Sequence, residues 1–135
     1  MSRLFIVSIV SMISLVALSG SLQAKPELRE VAHVRNGIIT VGIAYEISQK
    51  CGSISPRYIR GLNFLEGLKG HARNLGYTNR EIDDYINDSN EKNRLEALGR
   101  SMMADMGIVE GEEATYCAVG RAEIEAGSGI GRLLR

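Results

Sequence analysis

Apolar residues recur at steps of three and four along most of the chain after residue 26, which is the spacing of a helix with one buried face. This pattern predicts a first helix over residues 27–49, with Pro26 at a suitable first position. Asn36 and Gly37 are poor helix formers, so a start near Asn36 is the alternative. The apolar positions are Leu28, Val31, Val34, Ile38, Val41 and Ala44 or Tyr45.

A second helix is predicted after the first by its start signal and its apolar stripe. Ser55 followed by Pro56 resembles an N-cap with proline at the first helical position. Gly76 stands where a left-handed glycine would end the helix. The stripe between these signals consists of Tyr58, Leu62, Leu65, Leu68, Ala72 and Leu75.

The region after Gly76 contains two overlapping start signals. Thr78 and Glu81 form a capping box that predicts a third helix, and Asp88 with Glu91 can form a second one. The polar run of residues 88–94 separates two apolar sets that lie on different helical phases. The pattern therefore favours two segments that break near Asp88, and one continuous bent helix is the alternative.

The last helix is predicted from about Glu112 to about Ala126, with the glycines of residues 127–129 ending it. Residues 127–135 then form a short amphipathic tail. The sequence has no alternating strand pattern of useful length. We therefore expect an all-α fold, a small bundle of four to five helices that forms a single domain over residues 25–135.

Residues 1–24 have the order of a secretory signal peptide. Arg3 supplies positive charge, residues 4–18 are mainly apolar, and small residues precede a cleavage site between Ala24 and Lys25. The alternative is an uncleaved N-terminal anchor, because the apolar stretch approaches the length that spans a bilayer. We expect a periplasmic protein with its signal peptide cleaved and no membrane span after cleavage.

The sequence contains two cysteines, Cys51 and Cys117, and both lie after the leader. An exported domain meets an oxidising compartment, so a disulfide between them is the expected state. In the chain-entropy model such a bond stabilises the fold by about 4 kcal/mol. Neither cysteine has a neighbouring motif for redox chemistry or metal binding.

Composition and charge exclude several classes of function. Of the 16 basic residues only Arg3 lies in the leader, and all 16 acidic residues follow it, so the mature chain has a formal charge of −1. Trp is absent and the aromatic residues are scattered, which removes the usual basis for nucleic-acid binding. No strong electrostatic partner is implied.

The sequence contains no catalytic motif, and we predict no catalytic residue, no cofactor and no metal. His33 and His71 are interpreted as ordinary histidines rather than acid–base groups. Asp83, Asp84 and Asp88 could bind a hard cation weakly, but their places at helix starts already account for the first two.

Two apolar sets are candidates for an interaction surface. Methionines at helical spacing can form an adaptable binding surface, although such stripes are more often buried. The tail could dock on its own bundle or on another protein. The candidate residues are Met102, Met103, Met106, Ile130, Leu133 and Leu134.

Several segments resemble a family of small exported alphaproteobacterial proteins that is defined only as a domain of unknown function, DUF5333. The resemblance covers the whole mature chain. It implies an exported helical domain with paired cysteines and brings no catalytic residue. The resemblance is consistent with a protein partner of unknown identity. A membrane respiratory complex is one candidate for this partner. The segments are residues 36–47 (NGIITVGIAYEI), Cys51, residues 53–57 (SISPR), 64–69 (FLEGLK) and 75–78 (LGYT), Tyr116–Cys117, and residues 130–135 (IGRLLR).

These features favour a non-enzymatic periplasmic helical domain that acts as an interaction or accessory protein. Too few acid, base and nucleophilic groups occur together to suggest an enzyme. One alternative is a periplasmic holding chaperone. Another is a carrier of a small apolar ligand, since the methionines and the small number of large aromatic residues could leave a cavity between the helices.

Overall fold

A computed structural model describes residues 24–135 of the protein. This part of the chain forms five α-helices and two 3₁₀ turns and contains no β-strand, which confirms the all-α prediction. The predicted leader lies almost entirely outside the described residues. The 3₁₀ turns are Leu28–Glu30 and Gly131–Leu133, and the helices are α1 Ala32–Lys50, α2 Tyr58–Asn74, α3 Asn79–Asn87, α4 Ser89–Asp105 and α5 Glu113–Ala126.

Helix α1 is the centre of the fold, and α2, α4 and α5 all pack against it. It begins at Ala32, between the two starts that the sequence left open, and it continues through Asn36 and Gly37. A Cβ atom at Gly37 would lie 2.6 Å from Leu68 Cδ1 of α2. Gly37 has a low helix propensity, but it allows the close approach of α2. The gain from packing α2 on α1 therefore outweighs the cost of a glycine within the helix.

The predicted N-cap of α2 at Ser55 and Pro56 is wrong. The helix begins at Tyr58, because the residues before it adopt extended backbone that pairs with the end of the chain. The Ser55 amide donates to the Arg135 carbonyl at 2.8 Å, and the Arg57 amide donates to the Leu133 carbonyl at 2.8 Å. The end of α2 is as predicted, since Gly76 has a φ of +91°.

The chain breaks between α3 and α4 at Asp88, as the second start signal predicts. The Thr78 hydroxyl accepts a hydrogen bond from the Glu81 amide at 3.2 Å, and the Glu81 carboxylate accepts one from the Thr78 amide. The Asp88 carboxylate accepts one from the Glu91 amide at 2.6 Å. Each of these short polar contacts satisfies amides that a helix start leaves unpaired.

The main core lies where α1, α5 and the C-terminal tail meet. Cys51 at the end of α1 is bonded to Cys117 of α5, with their Cα atoms 5.1 Å apart, which confirms the predicted pairing. Ile43, Ile47 and Leu134 are almost completely buried beside the bond. A smaller core at the other end of α1 contains Leu28, Val34, Ala72, Tyr77 and Ile82.

The C-terminal tail docks on its own bundle. Ile130, Leu133 and Leu134 are buried, and the structure therefore places these three of the six candidate surface residues in the core. Helix α5 ends at Gly127 with a φ of +61°, as the glycine-rich sequence predicts. Within residues 24–135, no helix combines the length and the apolar character needed to cross a membrane.

Candidate functional site

A long open groove runs along the side of α1 that faces away from α5. Helices α2 and α4 both pack on α1 but scarcely touch each other, so that α1 forms the floor and the other two form the walls. Helix α3 closes one end of the groove. Its volume is about 900 Å³, at the upper end of the range for binding sites in proteins.

The floor of the groove is apolar and has a recess at its middle. Val34, Ile38, Ile39 and Ile43 of α1 line it together with Gly42. A Cβ built at Gly42 would have no atom of another described helix or turn within 4 Å. The missing side chain at this position therefore deepens the groove, whereas Gly37 on the same helix serves close packing.

The walls contribute apolar side chains that remain partly in water. Leu62 of α2 is 59% exposed, Tyr45 at the edge of the floor is 53% exposed, and Ile86 of α3 is 46% exposed. Exposed apolar residues are common singly, but a contiguous set around a concave surface is typical of a binding site. The other apolar wall residues are Leu65 and Leu68 of α2 and Leu95 and Met103 of α4.

Charged residues of both signs surround the groove, and they differ between its two ends. Glu46 and Glu110 line the end near the disulfide. Both carboxylates lie close to Tyr116, whose pKa is raised mainly by burial and further by these two negative charges. Lys92 lines the opposite end towards α3, together with Lys69 of α2 and Glu96 of α4. Glu66 and Arg100 line the groove between the two ends.

The α3 end is built around a buried carboxylate, Glu91. Arg94 donates to it through Nη2 at 2.6 Å and Nε at 2.9 Å, and the Tyr85 hydroxyl donates at 3.2 Å. Arg29 lies 3.7 Å from the same carboxylate. The hydrogen bonds from Arg94 are the main cause of the lowered pKa of Glu91. Burial, followed by the charge of Glu91, raises the pKa of Tyr85 to about 12.

The first described residues are held against α3 by a second ion pair. The Lys25 ammonium lies 2.7 Å from the Glu81 carboxylate, donates to the Gly76 carbonyl at 3.0 Å, and stands 4.6 Å from the centre of the Tyr77 ring. The Tyr77 hydroxyl donates to the Pro26 carbonyl. The hydrogen bond from Lys25, with that from the Thr78 amide, lowers the pKa of Glu81 to about 2.

The methionines predicted as a candidate interaction surface lie in different parts of the structure. Met103 lines the groove, Met106 packs against the main core, and Met102 is 43% exposed. His33 and His71 stack edge to face, with ring centres 4.5 Å apart, between α1 and α2. Residues 24–135 contain no group of three or more side chains that could hold a metal ion.

Sequence reasoning missed the floor and the α2 wall of the groove. An apolar stripe such as that of α2 is typical of a buried helix face, yet Leu62 of this stripe is more than half exposed. One signal was present in α1, where apolar residues occupy more than one face, since Ile38 and Val34 lie beside Ile39, Ile43 and Ile47. A helix that is apolar on several sides needs several partners, and α1 packs against α2, α4 and α5.

Comparison with known protein families gives one match. The model of a family of unknown function, DUF5333, matches residues 26–135. The chain belongs to this family. No curated protein and no solved structure matches the chain. The function of this DUF5333 domain must therefore be argued from its own geometry, and the groove is its main candidate site.

Proposed function

We propose that this DUF5333 domain is a non-enzymatic periplasmic binding domain, and that its groove holds an apolar part of another molecule. The observation that carries the proposal is the groove itself, with an apolar floor on α1 and a volume of about 900 Å³. Apolar surface gains about 25 cal/mol per Å² when it leaves water. Covering the exposed apolar side chains that line the groove would therefore contribute favourably to the free energy of binding.

The periplasmic location is supported by two features. The Cys51–Cys117 disulfide is typical of exported proteins, because thiols are kept reduced in the cytoplasm. Residues 1–24 have the charge and apolar order of a signal peptide. Intact-mass spectrometry on protein released from the periplasm would test this part. We expect a chain that starts at Lys25 and is two hydrogens lighter than its reduced form, and an intact leader or free thiols would contradict it.

The role of the groove can be tested with one substitution. In Gly42→Leu the Cβ of the new side chain would have no atom of another helix within 4 Å. The side chain would extend into the groove that Gly42 lines, so we expect it to take up binding space while the fold is kept. The uncharged dye Nile red fluoresces in apolar surroundings and would report on the open groove. We expect the dye to bind the unmodified protein and to lose most of its signal with Gly42→Leu.

Gly67→Leu is the matched control for this test. Gly67 is also a helical glycine with open space at its Cβ, but it does not line the groove. The control should bind the dye as the unmodified protein does. Equal dye binding by Gly42→Leu and Gly67→Leu would show that the groove is not the apolar site.

A carrier of a small apolar ligand is the second candidate function, and it is favoured by the volume of the groove. Native mass spectrometry on protein from the source cells distinguishes this candidate. A stoichiometric added mass that is absent from Gly42→Leu would support it. Protein without added mass would leave a macromolecular partner as the occupant.

A further inference from the structure

We infer that the occupant of the groove is an amphipathic helix of about three turns, supplied by a partner protein. This inference rests on the proposed binding role of the groove and names the chemistry of the partner. Helix-in-groove binding is a common mode of recognition, in which one apolar face of the helix enters the groove and its polar face remains in water. The length of this groove, the arrangement of its walls and its charges all fit that mode.

The length of the groove sets the length of the partner helix. Its floor extends along α1 from Val34 to Glu46, and its α4 wall extends from Lys92 to Met103. At 1.5 Å per residue these segments are about 18 Å and about 16 Å long. A helix of roughly 11 or 12 residues therefore spans the groove, with apolar residues at positions i, i+3 or i+4, and i+7.

The arrangement of the walls fits a helix better than a slender ligand. Helices α2 and α4 flank α1 without packing on each other, which leaves a place for one more helix in contact with all three. Leu62, Tyr45 and Ile86 stand at the rim and keep about half of their surface in water. A ligand at the floor would leave these rim residues exposed, whereas a helix between the walls covers them.

The charges at the two ends of the groove predict the direction of the partner helix. Glu46 and Glu110 at one end attract basic residues. At the other end two lysines, Lys69 and Lys92, outnumber the one carboxylate, Glu96, so that end attracts an acidic residue. Glu66 and Arg100 lie between the two ends and have opposite charges. Helices are stabilised by acidic residues in the first turn and basic residues in the last turn. The partner helix therefore runs from the Lys92 end to the Glu46 end, in the same direction as α1.

A displayed library of 14-residue peptides tests this inference. Each member has an apolar helical stripe with random residues elsewhere, and selection uses the full mature protein. We expect the selected peptides to carry acidic residues near the N-terminus and basic residues near the C-terminus. Their affinity should fall roughly tenfold or more with Gly42→Leu, whose side chain takes their space, and should be unchanged with Gly67→Leu.

Reversing the charges of a peptide tests the direction in which the partner helix binds, separately from the requirement for an apolar stripe. A selected peptide is compared at low salt with a version in which its acidic and basic ends are exchanged. We expect the exchanged peptide to bind several-fold more weakly to the unmodified protein. With Glu46→Lys combined with Glu110→Lys, this preference should disappear or reverse. Equal binding in every case would contradict the assigned direction and overturn that part of the inference.

Other results would overturn the inference while leaving the proposed binding role intact. Selected peptides without a helical stripe, or peptides that bind Gly42→Leu equally well, would exclude a helix in the groove. Stoichiometric binding of myristate to the unmodified protein, together with failure of the peptide selection, would assign the groove to a lipid chain. A dimer that Gly42→Leu converts to a monomer would assign it to a second copy of this chain. Failure of Nile red to bind would contradict the proposed function itself.

Discussion

Helix α1 presents one side to α5 and the C-terminal tail and another side to the groove, and the two sides differ in packing. On the closed side a Cβ at Gly120 of α5 would lie 2.5 Å from Ile54 Cδ1 and 2.7 Å from Ile47 Cγ2. On the groove side a Cβ at Gly42 would meet no atom of another described helix or turn within 4 Å. The same residue type serves close packing on one side and an open recess on the other.

This difference separates stability from binding within one small domain. The closed side holds the disulfide, the buried tail and Ile47, which is completely buried. The groove side is held at its α3 end by ion pairs around Glu91 and Glu81. We expect substitutions on the closed side to change the free energy of unfolding, and substitutions in the groove to change binding.

Removal of the disulfide should have the largest effect. In Cys51→Ala combined with Cys117→Ala, the unfolded chain regains the entropy that the link across 66 positions removes. The expected loss in the free energy of unfolding is about 4 kcal/mol. Urea unfolding followed by circular dichroism measures it, and reduction of the unmodified protein should give a similar loss. A loss below about 1 kcal/mol would show that the tail and core hold the closed side without the bond.

Truncation of the tail residue Leu134 should have the next largest effect. Leu134 is 1% exposed within the main core, so Leu134→Ala leaves a cavity and should cost about 3 kcal/mol of unfolding free energy. Leu62→Ala, at the groove wall, is the matched control because Leu62 is 59% exposed. Its cost should be below about 1 kcal/mol. Equal losses at the two leucines would mean that the two sides of α1 are packed alike.

Glu91→Gln should weaken the α3 end of the groove. The substitution removes the charge that accepts two hydrogen bonds from Arg94, and we expect a loss of about 2 kcal/mol in unfolding free energy at pH 7. Glu96→Gln is the control, because Glu96 lies on the same helix and is exposed where it lines the groove. We expect a change in unfolding free energy close to zero. A larger loss at Glu96 than at Glu91 would contradict the assignment of Glu91 as the stabilising carboxylate.

The same carboxylates set a dependence of stability on pH. The pKa values of Glu91 and Glu81 are lowered in the folded state, that of Glu81 to about 2. Their contributions are therefore complete above the ordinary value of 4.5 and are lost as the pH falls through the folded values. We expect the stability difference between the unmodified protein and Glu91→Gln to shrink as the pH is lowered below 4.5. Urea titrations at several pH values between 7 and 2 measure this trend, and a constant difference would contradict it.

The sequence predicted the parts of the fold that depend on local signals. The break at Asp88 and the helix end at Gly76 follow from short-range chemistry at those residues. The disulfide followed from the presence of two cysteines in a chain with a predicted export signal. The predicted N-cap of α2 at Ser55 and Pro56 was wrong because of a long-range contact. These two residues pair with Arg135 and Leu134 from the far end of the chain. The groove was missed for the same reason, since its existence depends on α2 and α4 standing apart.

Gly120→Ala tests the close packing of the closed side with a single methyl group. Overpacking costs about 1–3 kcal/mol, and alanine returns about 1 kcal/mol of helix propensity. The expected result is a net loss of about 1 kcal/mol in unfolding free energy. Gly67→Ala, where the new Cβ meets open space, should instead stabilise the protein by about 1 kcal/mol. A gain at Gly120 as well would show that Ile47 and Ile54 can move aside.

Gly42→Leu and Gly67→Leu should have the smallest effects on stability, and both should be gains. Leucine is a better helix former than glycine by roughly 0.8 kcal/mol, and neither new Cβ meets a neighbour within the described chain. Thermal unfolding should therefore show similar small increases in Tm for the two variants. A clear loss of stability with Gly42→Leu alone would mean that the groove is narrower in solution than in the structure.

Suppose that Gly42→Leu and Gly67→Leu gain equal stability and that only Gly42→Leu loses binding. The difference in packing between the two sides of α1 would then correspond to a difference in function. Leucine at position 42 would then make the domain more stable and less able to bind. Proteins often accept lower stability where a site needs a particular shape. Glycine at this position would be explained by the occupant of the groove, because the packing of the free domain gives no reason for it. At Gly120, in contrast, the packing alone accounts for the glycine.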